Sequence, residues 1–289
     1  MTDVRLDAVE SSGLQAEGAA RARLVDSVRG LPSWAVAGAG VVVIVVVWQL
    51  VSLSFSPAGD GSVPAPWRVV VTLVQDLGTG VTWNAIAQTS ASAGLGYLWG
   101  NLIALALAFV VLLLPFSESL ATQLAVVASC VPLTAIGPIV ALMSPAQSRI
   151  TSVFLAALSV IFTTTVGALL GLRSASATQL DVVRAYGGSR LTELRKVRLI
   201  AAAPSLLAAF KIAAPAAFLG AVLGEYFLIG VDSGLGLQLL AASATNTSLQ
   251  IWAIALISAG IAGLAYFLIG LIGRLLTPWS SDGAGKGMA

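Results

Sequence analysis

Long apolar stretches separated by short polar segments run through the whole chain. Six of them hold about 20 or more mostly apolar residues, which lets an α-helix cross the roughly 30 Å hydrocarbon core of a bilayer. They cover residues 34–55, 89–114, 119–143, 150–172, 204–230 and 249–275. The pattern predicts an all-α membrane protein in which one transmembrane domain, 34–276, with six transmembrane helices lies between two polar tails, 1–33 and 277–289.

Composition narrows the chemistry that this chain can perform. Of its 289 residues, 57% are hydrophobic and 10% are charged, well below the charge of a soluble domain. The net charge of +2 is small and scattered, so nucleic acid is not an expected partner. Histidine is absent and Cys130 is the single cysteine, which removes the usual general base, the commonest metal ligand and any intrachain disulfide. We therefore expect no catalytic residue and no metal site.

The distribution of Lys and Arg predicts the orientation of the chain. If the N-terminus is cytoplasmic, twelve of the 15 basic residues lie in or beside the inner segments, and only Arg68 and Arg149 lie in the outer ones. An excess of basic residues marks cytoplasmic segments. Both termini are accordingly predicted to be cytoplasmic.

A basic, polar segment at 173–203 interrupts the apolar pattern. Leu180, Val183 and Tyr186 recur at every third position until Gly187-Gly188 breaks the repeat. These residues predict a short helix with an apolar ridge that ends at a glycine bend, where a side chain would obstruct the backbone.

A second short helix is predicted directly after the bend. Ser189 can cap it, and Leu191, Leu194 and Val197 line one of its sides. The ridge and the surrounding arginines suit a groove with an acidic rim on another protein. A cytoplasmic loop that only satisfies the positive-inside rule explains the same composition, and composition alone leaves both interpretations open.

The order of residues in this segment resembles a known signature. Asp181-Val-Val stands where ATP-binding-cassette (ABC) importer permeases have Glu-Ala-Ala, Gly187 falls on their glycine, and Val197 replaces their isoleucine. The longer form Glu-Ala-Ala-Arg-x-x-Gly-Ala-Ser-Arg, from the sulfonate, taurine and nitrate subgroup, is echoed by Arg184, Ser189 and Arg190. The chain departs from the signature in its Asp-Val-Val start and in Leu199-Ile200 where Leu-Pro is usual.

Other parts of the chain resemble the same family in the same order. Val63-Pro-Ala-Pro is similar to its Leu-Pro-Ser-Pro entry, Gly224-Glu225-Tyr-Phe to its fifth span, and Ser233-Gly-Leu-Gly-Leu to its Ser-Gly-Leu-Gly-Tyr turn. The segment 142–149 is shorter than the corresponding region of the family. The resemblance implies a type I ABC importer permease fold with a cytoplasmic coupling-helix loop at about 173–203.

This resemblance also implies partners and a place in the cell. Such permeases lie in the bacterial inner membrane, work in pairs of identical or different subunits, dock on cytoplasmic ABC ATPases and receive a small solute from an external binding protein. ATP and Mg²⁺ bind the ATPase, so this chain is expected to hold no cofactor. The residues expected to seat the ATPase are Asp181, Arg184, Tyr186, Gly187, Gly188, Ser189 and Arg190.

Few polar groups within the spans are available to a solute. Candidates for the substrate pathway are Asn101, Thr134, Thr164 and Glu225, although such residues also join helices to one another. Lys211 is expected near the cytoplasmic end of the fifth span, where its amine reaches the interface.

Two other classes of protein compete with the importer. An ATP-independent secondary transporter or channel stays open as the alternative, although the halves of the chain show no convincing repeat. A membrane-embedded enzyme is disfavoured because no histidine and no pair of carboxylates in neighbouring spans is available.

Overall fold

We describe a computed structural model of the chain for residues 32–55, 61–113, 123 and 132–278. The predicted tails lie outside these ranges except for the residues at their inner ends, and the side chains of Ser33, Trp34 and Arg190 are also outside the description. Within the described residues the secondary structure is helical, without strands, so the predicted all-α fold is confirmed. The helices are α1 (Ser33–Phe55), α2 (Pro66–Leu77), α3 (Gly80–Leu113), α4 (Leu133–Met143), α5 (Ile150–Arg173), α6 (Ala177–Ala185), α7 (Arg190–Glu193), α8 (Leu199–Glu225), α9 (Leu235–Ala244) and α10 (Ser248–Leu276).

Five described helical stretches are long and apolar enough to cross a membrane. They are Ala35–Phe55, Gly80–Val111, Ile150–Arg173, Leu191–Glu225 and Ser248–Leu276. The remaining predicted span, 119–143, lies mostly outside the described residues, and its described end forms α4. The predicted count of six is compatible with these five spans and α4.

The chain divides into two compact units between Arg68 and Val69. In the first unit, α1 exposes most of its apolar side chains, as a helix facing lipid does. Trp48 near its end donates an indole hydrogen bond to the Pro64 carbonyl over 3.1 Å. Pro66 opens α2, where a missing N–H costs nothing because the first turn of a helix leaves that donor unpaired.

The second unit is built around α5, which packs between α3 and α8. Small residues bring these backbones together: a Cβ added to Gly100 of α3 would lie 2.6 Å from the Ala157 carbonyl oxygen. A Cβ on Gly224 of α8 would lie 2.5 Å from the Ser152 Cα. Close approach through glycine is the usual way in which membrane helices gain packing energy, because lipid supplies no hydrophobic force between them.

The fifth span differs from its prediction. A π-helical stretch, Leu194–Arg198, joins α7 to α8, so one continuous helix runs from Arg190 to Glu225. The basic residues Arg195, Lys196 and Arg198 lower the local hydropathy, which placed the start of the span at residue 204. Lys and Arg are nevertheless good helix formers, and the helix continues through them. The second part of the polar segment 173–203, from Arg190 onward, therefore forms the first turns of this helix.

Candidate functional site

The short helix α6 begins at a complete capping box. The Gln179 N–H donates to the Ser176 Oγ over 3.3 Å, and the Ser176 N–H donates to the Gln179 Oε1 over 3.2 Å. Two donors that the first turn would leave unpaired are thus satisfied. The start of α6 is fixed by its own sequence.

The end of α6 is closed by the predicted glycine bend. The Gly188 N–H donates to the Val183 carbonyl over 2.8 Å, and the Gly187 N–H donates to the Arg184 carbonyl over 2.9 Å. This pair of bonds is a Schellman motif, and Gly187 has the left-handed φ of 73° that the motif requires. A Cβ on Gly188 would lie 2.7 Å from the Val183 oxygen. The first glycine supplies the dihedral angle and the second supplies the close approach.

An ion pair ties α6 to α7 across this bend. The Arg184 Nε donates to the Glu193 Oε1 over 2.8 Å, and its Nη1 lies 3.4 Å from the Asp181 Oδ1. Glu193 is buried, and its carboxylate raises the pKa of the Arg184 guanidinium. Ser189 accepts from the Thr192 N–H over 3.4 Å and starts α7. We call residues 176–193 the elbow.

Most of the predicted docking residues therefore build the elbow. Asp181, Arg184, Gly187, Gly188 and Ser189 hold its shape, whereas the Tyr186 side chain is 89% exposed. The backbone of Arg190 opens α7, and its side chain lies outside the described part of the chain. Sequence reasoning missed Glu193 as the partner of Arg184.

The predicted apolar ridge on α6 is wrong. Leu180 is 9% exposed and packs inward, while Tyr186 points outward. A helix turns 100° per residue, so positions six apart diverge by about 120° and cannot share one narrow face. The large exposed apolar residues of the elbow are Val182, Tyr186 and Leu191.

Hydrogen bonds beside the elbow join the end of α5 to the start of α8. The Ser174 Oγ donates to the Ala201 carbonyl over 2.9 Å, and the Arg198 Nη1 donates to the Leu172 carbonyl over 3.4 Å. A groove of about 670 Å³ lies between α6 and the start of α8. Its lining is Gln179, Val182, Val183, Lys196, Val197, Ile200, Ala201 and Pro204.

Two predicted pathway residues meet each other inside the helix bundle. The Thr164 Oγ1 donates to the Asn101 Oδ1 over 2.6 Å, and the Asn101 Nδ2 donates to the Tyr97 carbonyl over 2.8 Å. Both side chains are buried, so the pair links α3 to α5. Thr134 lies apart from them, exposed on α4.

Glu225, the remaining pathway candidate, is fully buried and hydrogen-bonded at both oxygens. Its Oε1 accepts from the Arg149 Nη1 over 3.0 Å and from the Thr89 Oγ1 over 2.8 Å. Its Oε2 accepts from the Gly236 N–H over 2.8 Å. The Arg149 guanidinium also donates to the Ser233 carbonyl oxygen. One carboxylate thus joins α3, α5, α8 and the start of α9.

The Ser233-Gly-Leu-Gly-Leu turn wraps around this carboxylate. A Cβ on Gly234 would lie 2.6 Å from the Glu225 Cδ, and the Leu235 N–H donates to the Thr89 Oγ1 over 2.9 Å. Sequence reasoning missed the roles of Thr89 and Arg149. The available signal was a single arginine in the outer segment between two apolar spans.

Lys211 lies in the continuous helix Arg190–Glu225, which begins well before the predicted start of the span at residue 204. Its predicted position near the cytoplasmic end of the fifth span stays a prediction. The Lys211 Nζ stands 4.2 Å from the centroid of the Tyr266 ring on α10. The amine is therefore held by an aromatic face.

The described helices include five that are apolar and long enough to cross a membrane, one of them continuous with the elbow, as in a membrane transport permease. Residues 100–282 match the sequence profile of the family described as binding-protein-dependent transport system inner membrane component. The chain belongs to this family. It is accordingly a multi-pass ABC transporter permease, a transport component of a binding-protein-dependent import system.

Two relatives agree with this assignment. The chain is 30% identical over 230 residues to a Haemophilus influenzae protein named "Probable ABC transporter permease protein". The alignment covers 78% of this chain and 90% of that relative. It is 24% identical over 240 residues to a Bacillus subtilis protein named "Putative aliphatic sulfonates transport permease protein SsuC". That alignment covers 83% of this chain and 86% of the relative.

Proposed function

We propose that this chain is the translocation subunit of an ATP-driven importer and that its elbow docks on a partner ATPase. The observation that carries the proposal is the closed geometry of the elbow: a Schellman motif and the Arg184–Glu193 pair fix α6 against α7. The helix from Arg190 then continues into the bilayer without a loop. A displacement of the elbow by the ATPase therefore moves the attached membrane span as a rigid body.

Contacts beside the elbow couple a second span to this movement. Ser174 and Arg198 bond the end of α5 to the first turns of α8, so the two helices move together at that end. Tyr186, Val182 and Leu191 offer exposed apolar contacts for the ATPase. An exposed aromatic at the centre of a small patch is a typical anchor of a protein interface.

The orientation of the chain follows from the same proposal. The elbow lies in the cytoplasm with both termini, in agreement with the excess of basic residues in the predicted inner segments. The membrane is the bacterial inner membrane. ATP and Mg²⁺ bind the partner ATPase, and this chain binds no cofactor.

Two permease subunits, identical or different, form the pathway and an external binding protein delivers the solute. We infer that the cargo belongs to the sulfonate, taurine, nitrate or vitamin-precursor class, since one relative carries the name of an aliphatic sulfonate permease. Asn101, Thr134, Thr164 and Glu225 are proposed pathway residues, of which Thr134 is exposed on its helix.

Co-purification combined with transport inhibition tests this function. The tagged chain is solubilised mildly from its native membrane, and its partners are identified by mass spectrometry. Recovery of an ABC ATPase, together with uptake that vanadate stops, is the expected result. Repeated recovery of the chain alone, with uptake that vanadate leaves unchanged, favours an ATP-independent transporter or channel instead.

A further inference from the structure

Lys211 lies on an apolar helix that is long enough to cross a membrane, Leu191–Glu225. It is 14 residues, about 21 Å, from Glu225 and 21 residues, about 31 Å, from Arg190 at the start of the continuous helix, at 1.5 Å per residue. A lysine side chain spans only about 6 Å, so the amine does not reach either end of this helix. An ionisable group within an apolar span is by default a candidate functional site.

No carboxylate of the described residues lies within 4.0 Å of this amine. Its contact is the Tyr266 ring, 4.2 Å from Nζ to the centroid. The aromatic face attracts a cation but carries no net charge, so the positive charge is oriented without being neutralised. Glu225, the acidic residue of the same helix, is occupied at both oxygens by its own partners.

The neighbouring helix provides space for the Lys211 side chain. Gly270 lies one turn after Tyr266 on α10, and a Cβ at Gly270 would stand 2.9 Å from the Lys211 Cε. Tyr266 and Gly270 thus form a cradle that holds the lysine stem along α10. The cradle leaves the amine half-buried rather than enclosed.

A proline interrupts the hydrogen bonding of α8 one turn after Lys211. Pro215 lies within the helix four residues after Lys211 and cannot donate the usual hydrogen bond to the Lys211 carbonyl. Helices with interrupted hydrogen bonding commonly line the solute sites of transporters. Ile212 and Leu219, on the side of α8 adjacent to Lys211, are exposed.

We propose that Lys211 binds the negative group of an anionic solute during its passage and that it selects for anions. This inference rests on the proposed import function, to which it adds a binding residue, and it narrows the proposed cargo to anions. The amine supplies the charge, Tyr266 orients it, and the Lys211 carbonyl, which lacks a donor at Pro215, offers an acceptor for a polar group of the solute. Lipid headgroups are the other source of an anion, and a headgroup bound to Lys211 would leave the KM for the solute unchanged.

The test uses the complete transporter with its co-purified ATPase and binding protein in proteoliposomes. Ethanesulfonate and nitrate are the anionic probes, and ethanesulfonamide is the uncharged match of the first. Lys211→Met removes the charge and keeps the stem, Lys211→Arg keeps the charge, and Ile212→Met is a matched control on the exposed side. Assembly is followed by size-exclusion chromatography.

We expect Lys211→Met to raise the KM for the imported anion roughly 30-fold or more, because a desolvated anion loses its only opposite charge. Lys211→Arg and Ile212→Met keep the KM within about threefold, and all variants assemble with the ATPase. The proposal is overturned if Lys211→Met imports the anion with an unchanged KM, if it loses assembly instead of affinity, or if Lys211→Arg fails equally.

The preference of the wild-type complex for anionic over uncharged solutes separates a failure of this inference from a failure of the proposed function. If the wild-type complex imports ethanesulfonamide or neither anion while retaining its ATPase, the anion site is wrong and the importer stands. If no ATPase accompanies the chain and vanadate has no effect on transport, the importer itself is wrong.

Discussion

Arg149 and Glu225 form an ion pair, 3.0 Å between Nη1 and Oε1, that joins the residue before α5 to the last residue of α8. The Glu225 side chain is fully buried, and the Arg149 side chain is only 20% exposed. Thr89 and Gly236 complete the shell of donors around the carboxylate. The pair makes the end of α8 and the start of α9 depend on the segment that precedes α5.

Arg149→Met leaves the Glu225 carboxylate buried without its opposite charge. Such a change is expected to lower the free energy of unfolding by about 3–5 kcal/mol. Thermal unfolding of the purified chain in detergent measures the loss. The double variant Arg149→Met/Glu225→Gln removes both charges and should recover much of it, and a double variant as unstable as the sum of its parts would disprove coupling.

The left-handed backbone of Gly187 makes the elbow sensitive to the side chain at that position. Gly187→Val is expected to reduce ATP-coupled uptake strongly while the chain still inserts, because a β-branched residue at φ 73° costs about 1–3 kcal/mol and opens the bend. Uptake and membrane insertion are measured in parallel. Gly187→Asn is the matched control, since asparagine tolerates this conformation. Normal uptake by the valine variant would contradict a role of the bend in coupling.

The Arg184–Glu193 pair is expected to contribute to coupling. Arg184 is 57% exposed but Glu193 is buried, so Arg184→Met leaves a buried carboxylate without this partner and should also lower the thermal stability. Because Arg184→Met removes the ion pair that joins α6 to α7, the number of solute molecules taken up per ATP hydrolysed should fall. The control is Arg195→Met, which removes an exposed arginine of the π-helical stretch. Equal losses in both variants would show that only the net charge matters.

The sequence was sufficient to predict the helical membrane class, because a span depends on local hydropathy alone. The bend at Gly187-Gly188 was also predictable, since its hydrogen bonds close within six residues. The Arg149–Glu225 pair was not, because its partners are 76 residues apart and only folding brings them together. The start of the fifth helix was misplaced for a local reason: charged residues before residue 204 lowered the hydropathy without ending the helix.

The Asn101–Thr164 hydrogen bond distinguishes a structural contact from a pathway contact. Thr164→Val removes the donor to Asn101 and should lower the free energy of unfolding by about 0.6–1.7 kcal/mol, the range of side-chain hydrogen bonds between membrane helices. If the pair only joins α3 to α5, thermal stability falls and the KM for the transported solute stays constant.

If the pair lines the pathway, the KM rises in Thr164→Val and also in Thr164→Ser, because the serine keeps the hydroxyl but loses the methyl group that shapes the wall. Both side chains are buried and hydrogen-bonded to each other, so we expect a loss of stability with a constant KM. A raised KM with unchanged stability would assign the pair to the solute.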